Sequence, residues 1–172
     1  MVSGADSPFQ DMLLALARKD VDFIVAGGVA AVLHGVPRVT YDLDISVDMA
    51  PENVARLLDA MREEGLQPRA PVPAEALMDA EAVDKMVREK GALVFTFLDP
   101  GDPLRHVDVF LTRELSYGQL VGQAETAELH GYRIRILSAR HLLKLKEAIR
   151  PPRDKDALDI QYLRKRVSGE DE

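Results

Sequence analysis

The feature that most constrains this chain is a short alternating segment with two carboxylates on one side. Residues 40–48, TYDLDISVD, alternate polar and apolar with the two-residue period of a strand that buries one face. Leu43, Ile45 and Val47 then point to a core, while Asp42, Asp44 and Ser46 share the other face. Two neighbouring carboxylates repel each other unless a cation or protons lie between them. Upstream, the apolar run VDFIVAGG stops at two adjacent glycines, as a short buried strand does where it hands over to a helix. Thirteen residues, VAAVLHGVPRVTY, separate Gly28 from Asp42.

The rest of the chain reads as alternating helices and strands without an internal repeat. Ser7 and Pro8 open a helix over about residues 8–19, and VAAVLHG forms two helical turns ended by Gly35. APENVARLLDAMREEG is a helix bounded by proline and glycine, and PAEALMDAEAVDKMVREKG reads as one more. ALVFTFLD and RHVDVFLT form a hairpin around PGDP, and TAELHGYRIRIL a second one around His130 and Gly131. Ser138 caps the helix ARHLLKLKEAIR, the prolines after it end it, and DKDALDIQYLRKR makes a last helix. The order lacks a regular β-α-β repeat, so the expected class is α+β, a mixed sheet flanked by helices. We expect one domain over 1–172, with a core at about 20–137 and a C-terminal helical segment at about 138–166.

Composition narrows the function. The chain has no cysteine, which excludes disulfides and thiolate metal sites. Its start is neither a signal nor a transit peptide and no apolar run reaches membrane-spanning length, so a cytoplasmic protein without a membrane partner is expected. A net charge of −7 argues against non-specific DNA binding. Residues 140–166 nevertheless hold nine Lys/Arg against four Asp/Glu, a basic segment that suits a polyphosphate or, more plainly, a solvated helix face.

In the later strand, Asp108 shares a face with His106 and Phe110, opposite Val107, Val109 and Leu111. If the two aspartate strands are neighbours, three carboxylates meet, and oxygen-only ligands favour Mg²⁺ or Mn²⁺. Gly27 and Gly28 would let a phosphate approach bare backbone at a helix start, and Arg38 is within reach of the same ligand. Taken singly, these features have plainer readings. Asp-x-Asp is common on the solvent face of an edge strand, paired glycines make tight turns, and His34 reads as a packing or capping residue.

Other carboxylate motifs fail. An EF-hand starting at Asp42 would need glycine and glutamate where Val47 and Asn53 stand. DLDIS formally matches a haloacid dehalogenase phosphatase, in which Asp42 would be phosphorylated, but here the aspartates lie within a strand rather than at its end. Walker, dinucleotide and His-Glu-x-x-His patterns are absent.

The combination of IVAGG, thirteen residues, DLDI and a later HVDVF resembles the DNA polymerase beta-like nucleotidyltransferase superfamily. It looks most like the minimal nucleotidyltransferases, including those related to abortive-infection toxins. LLKLKEAIRPPRDKDALDIQYL is similar to their lysine-bearing helix followed by Arg-x-x-Asp-x-x-Asp, and the likeness runs from about residue 22 to 163. Gly28 departs from the serine that many members carry there.

The resemblance implies a transfer of NMP from an NTP, ATP among the candidates, to a hydroxyl acceptor (protein, RNA or small molecule) with release of pyrophosphate. Asp42 and Asp44 would hold two Mg²⁺ or Mn²⁺ ions, and Asp108 would share one and help activate the acceptor. Gly27 and Gly28 would cradle the triphosphate, Arg38 and Thr40 would touch phosphate, and Lys146, with Lys144 as the alternative, would neutralise it. The competing expectation is a catalytically silent binding or regulatory module of the same fold, such as half of a toxin-antitoxin pair.

Overall fold

The computed structural model describes residues 9–170. Seven strands form one mixed sheet: β1 (Phe23–Ala26), β2 (Asp42–Val47), β3 (Gln67–Pro68), β4 (Val94–Asp99), β5 (Asp102–Phe110), β6 (Ala124–Leu129) and β7 (Tyr132–Leu137). Their order is β3-β4-β5-β2-β1-β7-β6. β2 is therefore central, parallel to β5 on one side and antiparallel to β1 on the other. That placement removes the edge-strand reading of its two aspartates.

The period-two pattern explains the position. Leu43, Ile45, Val107 and Val109 are all fully buried, and each such side chain contributes about 1.5–3 kcal/mol over exposure. Ser46 shares the aspartate face but is buried too, its hydroxyl donating to the Leu115 carbonyl at 2.6 Å.

The helices are α1 (Gln10–Arg18), α2 (Gly27–Leu33), α3 (Pro51–Glu63), α4 (Ala80–Lys90), α5 (Tyr117–Leu120), α6 (Ala139–Glu147) and α7 (Ala157–Glu170). α1 packs on α3 and β7, while α2 packs on α6 and α7. The expected cap of the first helix, Ser7 and Pro8, lies outside the described residues. Ser138 does cap α6, its hydroxyl accepting from the His141 amide at 3.2 Å. The second hairpin turns at His130 and Gly131, both with positive φ, as a two-residue turn of right-handed strands requires. No described helix is long and apolar enough to cross a membrane.

Three expectations need correction. PAEALMDAEAVDKMVREKG is not one helix but a 3-10 turn, Ala74–Met78, followed by α4. Asp79 breaks it: its backbone is extended and its carboxylate accepts from the Glu81 amide at 3.0 Å, the preferred role of aspartate at a helix start. The last helix begins with another such turn, Asp154–Asp156. α6 ends at Glu147, before the prolines.

Candidate active site

Strand register assembles the acidic floor of the site. Asp44 is the register partner of Asp108, and Asp42 that of His106, across the parallel β2–β5 pair. Thr96 on β4 stands opposite Asp108 and donates its hydroxyl to Asp108 Oδ1 at 2.5 Å. His106 Nε2 lies 3.2 Å from Asp42 Oδ1 and 3.9 Å from Asp108 Oδ2. Burial, then the charges of Asp108 and Asp42, push the Asp44 carboxyl up to about 7. Such a floor is short of positive charge. Its donors, three carboxylates with an imidazole beside them, are chemically suited to a divalent cation. Among the described residues, however, no three His, Asp or Glu side chains stand arranged to hold one; Asp42 lies against His106, and Asp108 accepts from Thr96.

Each glycine of the pair is pressed against a site residue. Gly27 has φ +60°, and a Cβ there would fall on Asp44 Oδ2. A Cβ on Gly28 would come within 2.6 Å of Arg38 Nη2 and 2.9 Å of Thr40 Oγ1. The glycines thus give Asp44 and Arg38 their positions, and leave backbone bare on the cleft wall.

The basic side of the cleft is an ion-pair network. Arg38 makes a two-bond fork to Asp159, Nε to Oδ1 at 2.7 Å and Nη2 to Oδ2 at 2.8 Å. Lys146, only 7 % exposed, lies 3.0 Å from Asp156 and 2.9 Å from Asp159. Arg153 Nε donates to Asp156 Oδ2 at 2.6 Å. Burial opposes the charges of Asp156 and Asp159, but the bonds from Arg153 and Lys146, and from Arg38 and Lys146, outweigh it and hold both carboxyls below their ordinary value. Three cations against two carboxylates leave this wall positive.

All eight candidate residues, Gly27, Gly28, Arg38, Thr40, Asp42, Asp44, Asp108 and Lys146, line one cleft of about 590 Å³. Lys144, the alternative lysine, is exposed and outside that lining. His34 is buried with Nε2 2.8 Å from the Leu137 carbonyl, a packing residue as its sequence context suggests. Sequence reading quoted Asp156 and Asp159 within the Arg-x-x-Asp-x-x-Asp motif but gave them no role in the site; Asp156 ends the 3-10 turn and Asp159 lies in the first turn of α7. It also passed over His106, which the strand period puts beside Asp108, and Thr96, which only the hairpin register reveals.

No protein-family model matches the sequence, and no curated protein matches it. Solved structures do. The lincosamide antibiotic adenylyltransferase LnuA, solved with lincomycin bound, shares 13% identity at TM-score 0.61, over 95% of this chain and 98% of that one. The antibiotic-resistance factor ANT(2'')-Ia shares 13% identity at TM-score 0.59, over 95% and 84%. An antigenic nucleotidyltransferase-like protein from Paracoccidioides brasiliensis shares 17% identity at TM-score 0.54, over 94% and 77%. The likeness is one of architecture: this chain has the nucleotidyltransferase fold, and the cleft described above lies within it.

Proposed function

We propose that this protein transfers a nucleoside monophosphate from a nucleoside triphosphate to a hydroxyl acceptor and releases pyrophosphate. One observation carries the reading. Eight residues named from the sequence, by motif spacing and by the family resemblance together, line a single cleft, in a fold shared with antibiotic nucleotidyltransferases.

In this reading Asp42, Asp44 and Asp108 would hold Mg²⁺ or Mn²⁺, which would supply positive charge for the α-phosphate and the departing pyrophosphate. Gly27 and Gly28 offer amides to the triphosphate, with no side chain in the way. Arg38, clamped by Asp159, presents its guanidinium from a fixed position, and Lys146 lends positive charge from behind it. Asp108, oriented by Thr96, is the base for an acceptor hydroxyl that comes within hydrogen-bond reach. Leu93, Phe110, Leu142, Leu145 and Ile149 give the same cleft an apolar wall for the nucleobase or the acceptor.

The narrower abortive-infection branch rests on the sequence spacing. A silent module of the same fold has one observation in its favour: Lys146 and Arg38 are already paired with carboxylates and the acidic side chains do not converge as they stand. Isothermal titration of ATP, GTP, CTP and UTP, with and without Mg²⁺, separates the two. Binding that requires both the metal and intact Asp42 and Asp44, tested with the Asp42→Ala/Asp44→Ala double variant, supports the transferase. Failure of every nucleotide to bind the wild type overturns it.

A further inference from the structure

Arg153 and Lys155 line the same cleft and have been given no ligand. They stand on the short connection between α6 and α7, Arg153 just before the 3-10 turn Asp154–Asp156 and Lys155 within it. Both are exposed, whereas Asp156, next in the chain, is turned in and buried. Asp154, between the two cations, is exposed but lies outside the cleft lining. The turn thus offers the cleft two positive side chains and no free carboxylate.

The four cations of the cleft differ in the hydrogen-bonding capacity they have left. Lys146, only 7 % exposed, commits two of its three N–H donors to Asp156 and Asp159. Arg38 gives Nε and Nη2 to Asp159, and its Nη1 reaches the Val39 carbonyl at 3.4 Å. Arg153 uses Nε alone, on Asp156 Oδ2 at 2.6 Å, and its side chain is 45% exposed. Its two terminal nitrogens carry the remaining N–H donors of a planar fork and have no partner among the described residues. Lys155 likewise has no ion-pair partner among them.

Contacts order these cations along the wall. Asp44 lies against Gly27, Gly28 lies against Arg38, Arg38 shares Asp159 with Lys146, and Lys146 shares Asp156 with Arg153. Arg153 is thus the member of the network furthest, in contacts, from the acidic floor where the reacting α-phosphate belongs. A triphosphate anchored at that floor runs its β- and γ-phosphates along the wall. Its charge ends on the γ-phosphate, and a guanidinium fork matches two phosphate oxygens at once.

We propose that Arg153 and Lys155 bind the terminal phosphates of the donor and make the cleft select triphosphates over monophosphates. Arg38 and Lys146 stand behind them, held by their carboxylates. The inference rests on the transferase reading and goes beyond it, because it assigns the residues that recognise the part of the nucleotide that leaves as pyrophosphate.

The test titrates the full chain calorimetrically, with Mg²⁺ present, against ATP, GTP, CTP and UTP, against their monophosphates, and against inorganic triphosphate, which reports phosphate binding without a base. Wild type, Arg153→Gln and Lys155→Gln are compared, with Lys165→Gln, an exposed cation outside the cleft lining, as the control for charge alone. We expect Arg153→Gln and Lys155→Gln each to weaken the triphosphates, inorganic triphosphate included, by about tenfold, and to leave the monophosphates within about twofold. Lys165→Gln should change neither. Lys155→Gln breaks no ion pair among the described residues, so it decides the matter if Arg153→Gln proves unstable. Triphosphates that bind the wild type and both variants alike, an equal loss for mono- and triphosphates, or the same loss in Lys165→Gln overturns the assignment and leaves the transferase reading standing. Failure of every nucleotide to bind the wild type removes both.

Discussion

Arg38 and Asp159 stand 121 residues apart in the chain and meet in a two-bond fork beneath the cleft, with bonds of 2.7 and 2.8 Å. Asp159 is fully buried and also takes a bond from Lys146 at 2.9 Å, so one carboxylate holds two of the three cations of this wall. Removing it strips Arg38 of its carboxylate fork and leaves Lys146 with Asp156 alone. Asp159→Ala should cost about 3–5 kcal/mol in urea denaturation, the range for breaking a buried ion pair. Arg38→Lys keeps the charge but loses the fork, and should weaken nucleotide binding more than it lowers stability. Equal losses in the two measurements would mean that Arg38 serves the fold alone.

Gly27 and Gly28 should differ in their tolerance of a methyl group. Gly27→Ala must accept φ +60° and a Cβ on the Asp44 carboxylate, so it should destabilise by about 1–3 kcal/mol and lower metal affinity. Gly28→Ala meets only side-chain ends of Arg38 and Thr40 and should cost less stability, while shifting the guanidinium and weakening nucleotide binding. Denaturation and calorimetry on the two variants check the order. A milder Gly27→Ala would contradict it.

Asp44 gives the metal-free protein a pH dependence of definite sign. Its folded value, about 7, lies above the ordinary 3.8, so the folded state binds the proton more tightly than the unfolded chain. Its contribution is present at low pH and is lost as pH rises from about 4 to about 7. Relative to Asp44→Asn, the metal-free wild type should therefore lose on the order of 2–4 kcal/mol across that window. Thermal melts at a series of pH values measure the gap. Added divalent cation should close it, by replacing the proton with metal charge.

Thr96 acts on the site through Asp108. Thr96→Val keeps shape but removes the hydroxyl that donates to Asp108 Oδ1, so the carboxylate is free to rotate. Metal affinity should fall by about tenfold, with a stability change near 1 kcal/mol. An unchanged metal affinity would show that Thr96 does not orient Asp108.

How far the sequence carries depends on the range of the physics involved. The faces of Asp42, Asp44 and Asp108 were readable because a strand's period is two and Leu43, Ile45, Val107 and Val109 leave only one side for polar groups. Their meeting was conditional on β2 and β5 being neighbours, which depends on packing across more than 60 residues. The break at Asp79 shows the opposite case, in which a local rule about helix caps was present and outweighed by apolar periodicity. Lys146 is legible only through the resemblance of its helix to a lysine-bearing one, with Lys144 as the alternative. That Asp156 and Asp159 hold it is not legible, since the contact requires α6 and α7 to pack together. His106 is legible on the face of Asp108, but its position opposite Asp42 is not, since that depends on the pairing of β2 with β5.

The most direct measurement follows the label from nucleotides marked at the α- or the γ-phosphate, with Mn²⁺ or Mg²⁺ and fractionated small molecules, RNA and protein as acceptors. Transfer predicts that α-label joins a new species in at least one fraction, that γ-label leaves in pyrophosphate, and that Asp44→Asn abolishes both. Bound nucleotide with no α-label moved in any fraction, or γ-label released as orthophosphate, would contradict nucleotidyl transfer.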